Sequence, residues 1–337
     1  MVQARGVVFP ARHEFALQPV DPPAALAPHE VRGPTLCSLI SPGTELAWAG
    51  GESFPMFPGY AAVFRAEEIG GAVEDVAQGD LLLCMGPHRS YQQLEARHTA
   101  ALPDGLAPQH AVLARLMGVS MTSLMTTAAR PGDRVVISGA GPVGFLAARL
   151  FALSGYEVWV IEPNEARRRL AEQAGLPRVL ARLPLEDTSF KGTVALVLDC
   201  SGHEQSVLDA CEVVRQRGEV VLVGVPWKRR TEIDAHALLD LVFRHYVVLR
   251  SGWEWELPLH TQAFRWEALT EGYNNAGQSI FSGFRKALGW LAEGRIGVEG
   301  LIQLVDPREA RQVYTDLLER RGKGLFPIFD WTLDEGH

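Results

Sequence analysis

Residues 1 to about 110 carry short apolar runs broken by Pro and Gly, among them Val7-Val8-Phe9, Ala61-Ala62-Val63-Phe64 and Leu81-Leu82-Leu83-Cys84. Gly79-Asp80 stands before the last run as a turn would. Short strands with turn signals this close predict a compact β-rich unit. The texture changes after Pro108. Residues 109–129 hold no Pro and one Gly and predict a long helix, which Arg130-Pro131-Gly132-Asp133 stops. From residue 134 apolar strands alternate with helices. Strands are expected at 134–138, 157–161, 194–199 and 219–223, and helices at 142–154, 165–174 and 204–215. Near-continuous apolar strands separated by helices predict a parallel sheet covered on both faces. Residues 246–249 read as one more strand, 284–293 and 307–319 as helices, and 324–329 as a strand that rejoins the first unit.

The clearest chemical signal lies in this alternating part. Gly139-Ala140-Gly141-Pro142-Val143-Gly144 follows the strand at 134–138 and opens a helix. In such a loop the first glycine permits a tight turn and the second lets the backbone approach a pyrophosphate. The third lets helix and strand pack closely, and the helix N-terminus presents free N–H groups to the phosphates. The next strand ends at Glu162, about 20 residues on, where an acid that binds a ribose is expected. These residues predict a dinucleotide site. A carboxylate there accepts hydrogen bonds from ribose hydroxyls and repels a 2′-phosphate, which favours NAD over NADP. Arg167-Arg168-Arg169 competes with that reading as a phosphate holder, but on the following helix a solvated or adenine-stacking role fits better.

Composition narrows the class. The chain has 337 residues, is 47% hydrophobic and 21% charged, and has material for a core. With 32 Lys and Arg against 40 Asp and Glu, the net charge of −8 argues against nucleic acid as a partner. Lys228-Arg229-Arg230 reads as a solvated loop. No apolar stretch approaches the roughly 20 residues of a membrane helix, and residues 1–10 lack a segment of signal-peptide length. Cys37, Cys84, Cys200 and Cys211 are scattered without CxxC spacing, so neither a disulfide scaffold nor a cysteine-rich zinc site is expected. A cytoplasmic protein follows as the expectation.

Taken together, the motifs resemble those of the medium-chain dehydrogenase/reductase family over nearly the whole chain. Ser41-Pro42-Gly43-Thr44-Glu45, Pro58-Gly59-Tyr60 and Gly79-Asp80 are similar to its GroES-like catalytic domain. Residues 131–136, Asp199-Cys200-Ser201-Gly202 and residues 217–224 are similar to its nucleotide domain. The resemblance implies an α/β protein, a Rossmann doubly wound parallel sheet inserted in a GroES-like β-rich domain. The expected bounds are 1–116, 117–252 and 253–337. It implies cofactor contacts at Gly139, Gly141, Pro142, Val143, Gly144, Glu162, Arg167, Ser201 and Val225, and a homodimer joined through the Rossmann domain. The SPGTE segment resembles the branch that contains bacteriochlorophyllide dehydrogenase.

Departures from the family pattern bear on metal. At the three positions where the resemblance places catalytic zinc ligands stand Pro42, Tyr60 and a site at or beside Arg115, and the four-cysteine structural lobe is missing. Zinc needs about three Cys, His or carboxylate ligands, so neither a catalytic nor a structural zinc is expected. Something else must then stabilise the reacting oxygen. Thr44 matches the family's proton-relay hydroxyl, while the relay His is replaced by Ala47. Tyr60 places a phenol where a metal ligand would stand, and His88, which lies where relatives approach substrate, would assist proton exchange with solvent. Plainer roles stay open: Tyr60 as a packing ring, His88 as a loop histidine, Thr44 as a turn cap, Arg115 as half of an ion pair, Glu45 as a helix-start acid. Trp253, Trp255, Trp266 and Phe264 read either as packing or as an aromatic wall for a bulky substrate.

The expected activity is zinc-independent, NAD-dependent hydride transfer between nicotinamide and a small-molecule secondary alcohol or ketone. The alternatives are an NADPH-dependent quinone or enone reductase and a non-catalytic dinucleotide-binding protein.

Overall fold

A computed structural model describes residues 4–21, 24–256 and 279–334. The chain divides into two compact units. One comprises Met1–Arg115, Phe284–Gly294 and Val298–His337, the other Leu116–Gly283 and Arg295–Gly297. No described helix is long and apolar enough to cross a membrane.

The first unit is built on one long strand, Glu30–Leu39, whose residues alternate between buried and half-buried positions over most of its length. That period of two lets it hold partners along both edges. It pairs with Phe326–Asp330, Ala62–Arg65, Glu68–Ile69 and Tyr91–Glu95, all antiparallel. The sheet continues outward through Leu81–Cys84 and Thr99–Ala101 on one side and Ile302–Val305 on the other. The C-terminal strand thus rejoins the first unit, as expected. A second core gathers Phe9, Phe15, Ile40, Tyr314, Phe329 and Trp331. Phe9, Phe15 and Tyr314 stand pairwise 5.0 Å apart between ring centroids.

In the second unit, six strands form one parallel sheet in the order Val179–Leu180, Glu157–Ile161, Arg134–Ser138, Val194–Asp199, Val214–Leu222 and Val248–Ser251. Helices Pro142–Leu153, Glu165–Gln173, Glu204–Val213 and Ala235–His245 connect them. Strand Arg134–Ser138, the first of these in the sequence, lies in the interior of the sheet. The chain builds two strands to one side of it and then crosses to Val194–Asp199 on the other. Ligands in doubly wound sheets bind beyond the strand ends at such a switch point.

Three local expectations need correction. The helix expected over 109–129 is two helices, Pro108–Ala111 and Ala114–Thr126. At the break the hydrogen bonds contract to three-residue spacing, Leu113 N–H to His110 O and Arg115 N–H to Val112 O. Residues 111–116 are all buried, so no single apolar stripe enforces a continuous helix. The helix expected to reach residue 215 ends at Val213, and Val214 pairs with Val194 as the start of a strand. The last strand starts at Val248 because Tyr246 adopts a left-handed conformation, φ 53°. That strand has no partner on its outer edge among the described residues.

Candidate dinucleotide and hydroxyl sites

In the second unit the loop after Arg134–Ser138 carries out the division of labour expected of its glycines. Gly139 sits at φ +97°, a conformation that favours glycine. A Cβ on Gly144 would lie 1.8 Å from the Gly139 carbonyl oxygen, so this residue sets how closely helix and strand approach. Gly141 differs. A Cβ there would meet nothing within 4 Å, and its φ is an ordinary −70°. The fold does not need glycine at 141, and the open space is what a phosphate approaching the backbone requires. Gly141 caps the helix without a side-chain hydrogen bond, and Pro142 supplies no N–H at the first position. The remaining first-turn N–H groups, Val143 and Gly144 among them, are the ones such a site offers to an anion.

Glu162 is buried at the end of the neighbouring strand. Its Oε2 accepts the Ala140 N–H at 2.9 Å and its Oε1 the Asn164 N–H at 2.9 Å. The carboxylate therefore ties the glycine loop to the start of the next helix. Each oxygen has a second lone pair, so both bonds leave capacity for a ribose hydroxyl. Arg167 stands 3.8 Å from Glu162 Oε2 and is half exposed. Arg168 donates to the carbonyls of Glu162 and Pro163, and Arg169 pairs with Glu165. The arginine run is thus divided among local partners.

Asp199, fully buried, organises the other strand ends. It accepts from Ser201 Oγ at 2.5 Å, Gly202 N–H at 3.0 Å and Ser206 Oγ at 3.1 Å, and its carbonyl accepts the Val223 and Gly224 N–H groups. Burial pushes its carboxyl above the usual range, and the serine and backbone donors oppose that shift. Gly202 and Gly224 lie against each other's backbone, and Val225 beyond them is half exposed. The sequence singled out Ser201 and Val225 but missed Asp199, although an acid ending a wholly apolar strand is a legible signal.

The hydroxyl site belongs to the first unit. Helix Pro42–Ala49 follows the long strand, with Ser41 as its N-cap. Tyr60 Oη donates to Ser41 Oγ at 2.5 Å. The hydroxyl of Thr44, half-buried on the same helix, acts on that phenol to oppose the rise of its pKa. The Arg115 guanidinium lies 4.8 Å over the Tyr60 ring and 5.6 Å from the Phe284 ring, and its Nε donates to the Tyr60 carbonyl at 3.2 Å. Burial raises the Tyr60 phenol above its ordinary value, opposed by Arg115 and by the Ser41 and Thr44 hydroxyls. Arg115 is therefore a buried cation stacked on a phenol.

Glu45 stands in the first turn of helix Pro42–Ala49, as expected of a helix-start acid, while His88 is neither an exposed loop histidine nor open to solvent. His88 is 1% exposed and Glu45 0%. His88 Nδ1 is 2.8 Å from Ser38 Oγ and Nε2 is 3.1 Å from Glu45 Oε2. With both nitrogens engaged inside the unit, this ring has no route for exchanging protons with solvent, and that expectation is withdrawn. Glu45 Oε1 accepts the Ser41 N–H at 2.7 Å, and Oε2 accepts from the buried Tyr314 hydroxyl. Of the aromatic group, Trp253 is exposed and meets Trp255 edge-on at 6.4 Å, while Phe264 and Trp266 lie outside the described residues.

Comparison with known proteins agrees with this geometry. The family model for zinc-binding dehydrogenases matches residues 142–253. L-galactonate-5-dehydrogenase of Escherichia coli K12 is 32% identical over 130 residues, 36% of this chain and 38% of that protein. The galactitol-1-phosphate dehydrogenase structure from Escherichia coli superposes with a TM-score of 0.80 at 17% identity, covering 97% of this chain and 99% of that one. A structure of an alcohol dehydrogenase from Escherichia coli CFT073, complexed with NADH, gives 0.78 at 15% identity over 97% and 99%. The fold is that of medium-chain alcohol dehydrogenase structures, and residues 142–253 match the zinc-binding dehydrogenase model. Matched segments span about two fifths of the length of the galactonate dehydrogenases. Pro42, Tyr60 and Arg115 offer an imino acid, a phenol engaged with hydroxyls and a guanidinium, and no group of three metal-binding side chains occurs among the described residues. These residues do not fit a zinc ion.

The two glycines separate binding from folding. Gly141→Ala is expected to leave the melting temperature of the unliganded protein within a few degrees while weakening dinucleotide binding at least ~10-fold, about 1.4 kcal/mol. Gly144→Ala is expected to lower the melting temperature markedly through the clash with the Gly139 carbonyl. Thermal melts and calorimetric titration of both variants check the pair.

Proposed function

We propose that the protein is a zinc-independent oxidoreductase that moves hydride between NAD(H) and a secondary alcohol or ketone of small-molecule size. The observation that carries this reading is the glycine loop tied to Glu162, with open space over Gly141. The residues that would hold the dinucleotide are Gly139 to Gly144, Glu162, Arg167, Ser201 and Val225. When bound, nicotinamide supplies the hydride chemistry. Glu162 supports NAD because its carboxylate accepts from ribose hydroxyls and opposes a 2′-phosphate. The arginines do not reverse this, since Arg168 and Arg169 are committed to local partners.

Thr44 and Tyr60 act on the substrate oxygen. Tyr60 has an ordinary pKa near 10 and is pushed up by burial, so it is a neutral donor at neutral pH. In the structure it donates to Ser41, whose hydroxyl shares one short bond with it. A substrate oxygen that takes over this donor exchanges one hydrogen bond for another. Arg115 lies behind the ring and stabilises negative charge that develops nearby. The NADPH-dependent quinone or enone reductase remains the second reading, favoured by the misfit of the zinc positions and opposed by Glu162.

Assembly belongs to the same proposal. The outer edge of Val248–Ser251 is unpaired among the described residues; Val248 in that strand is 44% exposed, and Phe243 on the preceding helix 83%. An apolar strand edge left open invites pairing, and a second copy joined there gives the homodimer implied by the family resemblance.

Three outcomes are expected. Calorimetry gives NADH at least ~10-fold tighter than NADPH, and Glu162→Ser narrows the gap; tighter NADPH in the unmodified protein promotes the reductase reading. Elemental analysis finds less than about one zinc per ten chains, while Tyr60→Phe and Thr44→Val keep NADH binding and each lose at least ~10-fold in turnover. Near-normal turnover in both variants removes the hydroxyl pair from the mechanism. Light scattering at micromolar concentration returns a dimer mass, and Val248→Lys lowers it; a monomer in the unmodified protein ends the edge-pairing proposal.

A further inference from the structure

His88 lost its proposed role as a solvent-linked acid or base, yet it is among the most closely held side chains in the first unit. Its surroundings are fully specified. The ring packs against Phe329 at 5.1 Å between centroids. Its Nδ1 faces Ser38 Oγ, and its Nε2 faces Glu45 Oε2. Its backbone N–H donates to the Pro58 carbonyl at 2.9 Å. Gly59 lies directly against it: a Cβ on Gly59 would sit 2.6 Å from His88 N and 2.8 Å from the ring.

The direction of the hydrogen bonds follows from one donor-only group. The Trp331 indole N–H donates to Ser38 Oγ at 2.8 Å and accepts nothing. Ser38 is fully buried, and its hydroxyl proton has one remaining partner, His88 Nδ1. Nδ1 therefore accepts, and the ring proton sits on Nε2, from which it donates to Glu45. The Tyr314 hydroxyl donates to the same Glu45 oxygen, and the Ser41 N–H donates to the other. All donors run one way and end on Glu45. A doubly protonated ring would leave the Ser38 hydroxyl proton buried without an acceptor.

We propose that His88 is a positioning residue, a neutral imidazole protonated at Nε2, which fixes Thr44 and Tyr60 by holding their chain neighbours Glu45 and Gly59. Glu45 follows Thr44 on the same helix and clamps the Ser41 N–H, and the Ser41 hydroxyl receives the Tyr60 proton. Gly59 precedes Tyr60 and is flattened onto the imidazole. One buried ring thus sets both the helix that carries Thr44 and the strand approach that carries Tyr60. The roles of Thr44 and Tyr60 rest on the proposed function; the tautomer and the linkage do not.

The test is nitrogen-15 NMR on protein labelled at its ten histidines, combined with carbon-13 labelled tyrosine. The His88 signal is assigned by its loss in His88→Gln or, if that variant does not fold, by its displacement in Ser38→Ala, which removes only the donor to Nδ1. The expected result is one neutral tautomer with Nε2 protonated, unchanged in Tyr60→Phe. In Glu45→Gln one end of the amide is a donor, so either Nε2 or the Ser41 N–H loses its acceptor, and the expected result is a displaced His88 signal together with shifted Tyr60 ring signals. A doubly protonated ring or a proton on Nδ1 in the unmodified protein overturns the proposal, as does an undisplaced His88 signal in Glu45→Gln. Tyr60 signals that stay in place while the His88 signal moves leave a buried network with no positioning role, which also overturns it. Undiminished turnover in Tyr60→Phe and Thr44→Val, with the NMR result intact, would instead remove the proposed catalytic pair and leave the linkage standing.

Discussion

A buried carboxylate has to find donors, and in this protein that requirement shapes the loops at both sites. Glu45, Glu162, Asp199 and Glu219 are each at most 5% exposed. An unpaired charge at such depth costs several kcal/mol. Each acid is met by backbone N–H groups, hydroxyls or a cation. Glu45 takes the Ser41 N–H, Glu162 the Ala140 and Asn164 N–H groups, and Asp199 the Gly202 N–H. Glu219 takes the Ala128 N–H, the Thr127 hydroxyl and the Arg250 guanidinium. In every case at least one backbone donor lies on a loop or a helix end, so satisfying the acid also fixes the turn.

The same constraint explains what the sequence reveals and what it hides. The Gly139–Gly144 pattern and Glu162 are legible because donor and acceptor sit on successive strand ends of one repeating unit, about 20 residues apart. Asp199 was within reach on the same logic. The Glu45 cluster was not. Its donors Ser41, His88 and Tyr314 and the more distant Trp331 come from separate parts of the first unit, with up to 293 residues between hydrogen-bonded partners. No periodicity links them. A histidine in a Gly-Pro-His loop reads as exposed, and only the packing of Gly59 and Phe329 on its faces shows the reverse.

Element boundaries failed where tertiary burial overrode local pattern. Residues 109–129 have helical composition, but the stretch around Val112 and Leu113 is buried on all sides and turns with three-residue bonds. Val214 continues an apolar helical run in sequence, yet its place beside Val194 makes it a strand. Both are short apolar segments, for which periodicity does not separate helix from strand.

The two sites use their acids differently, and this bears on how a ligand is received. Glu162 has two backbone donors on two oxygens, which leaves a lone pair on each and an arginine 3.8 Å away. It is able to accept a further hydrogen bond without breaking the tie to Ala140. Glu45 has three donors inside the core and no exposed edge. It meets no ligand, and its effect reaches the surface only through Ser41 and the helix that follows. One acid keeps acceptor capacity free at a strand end; the other spends its own on fixing the start of a helix.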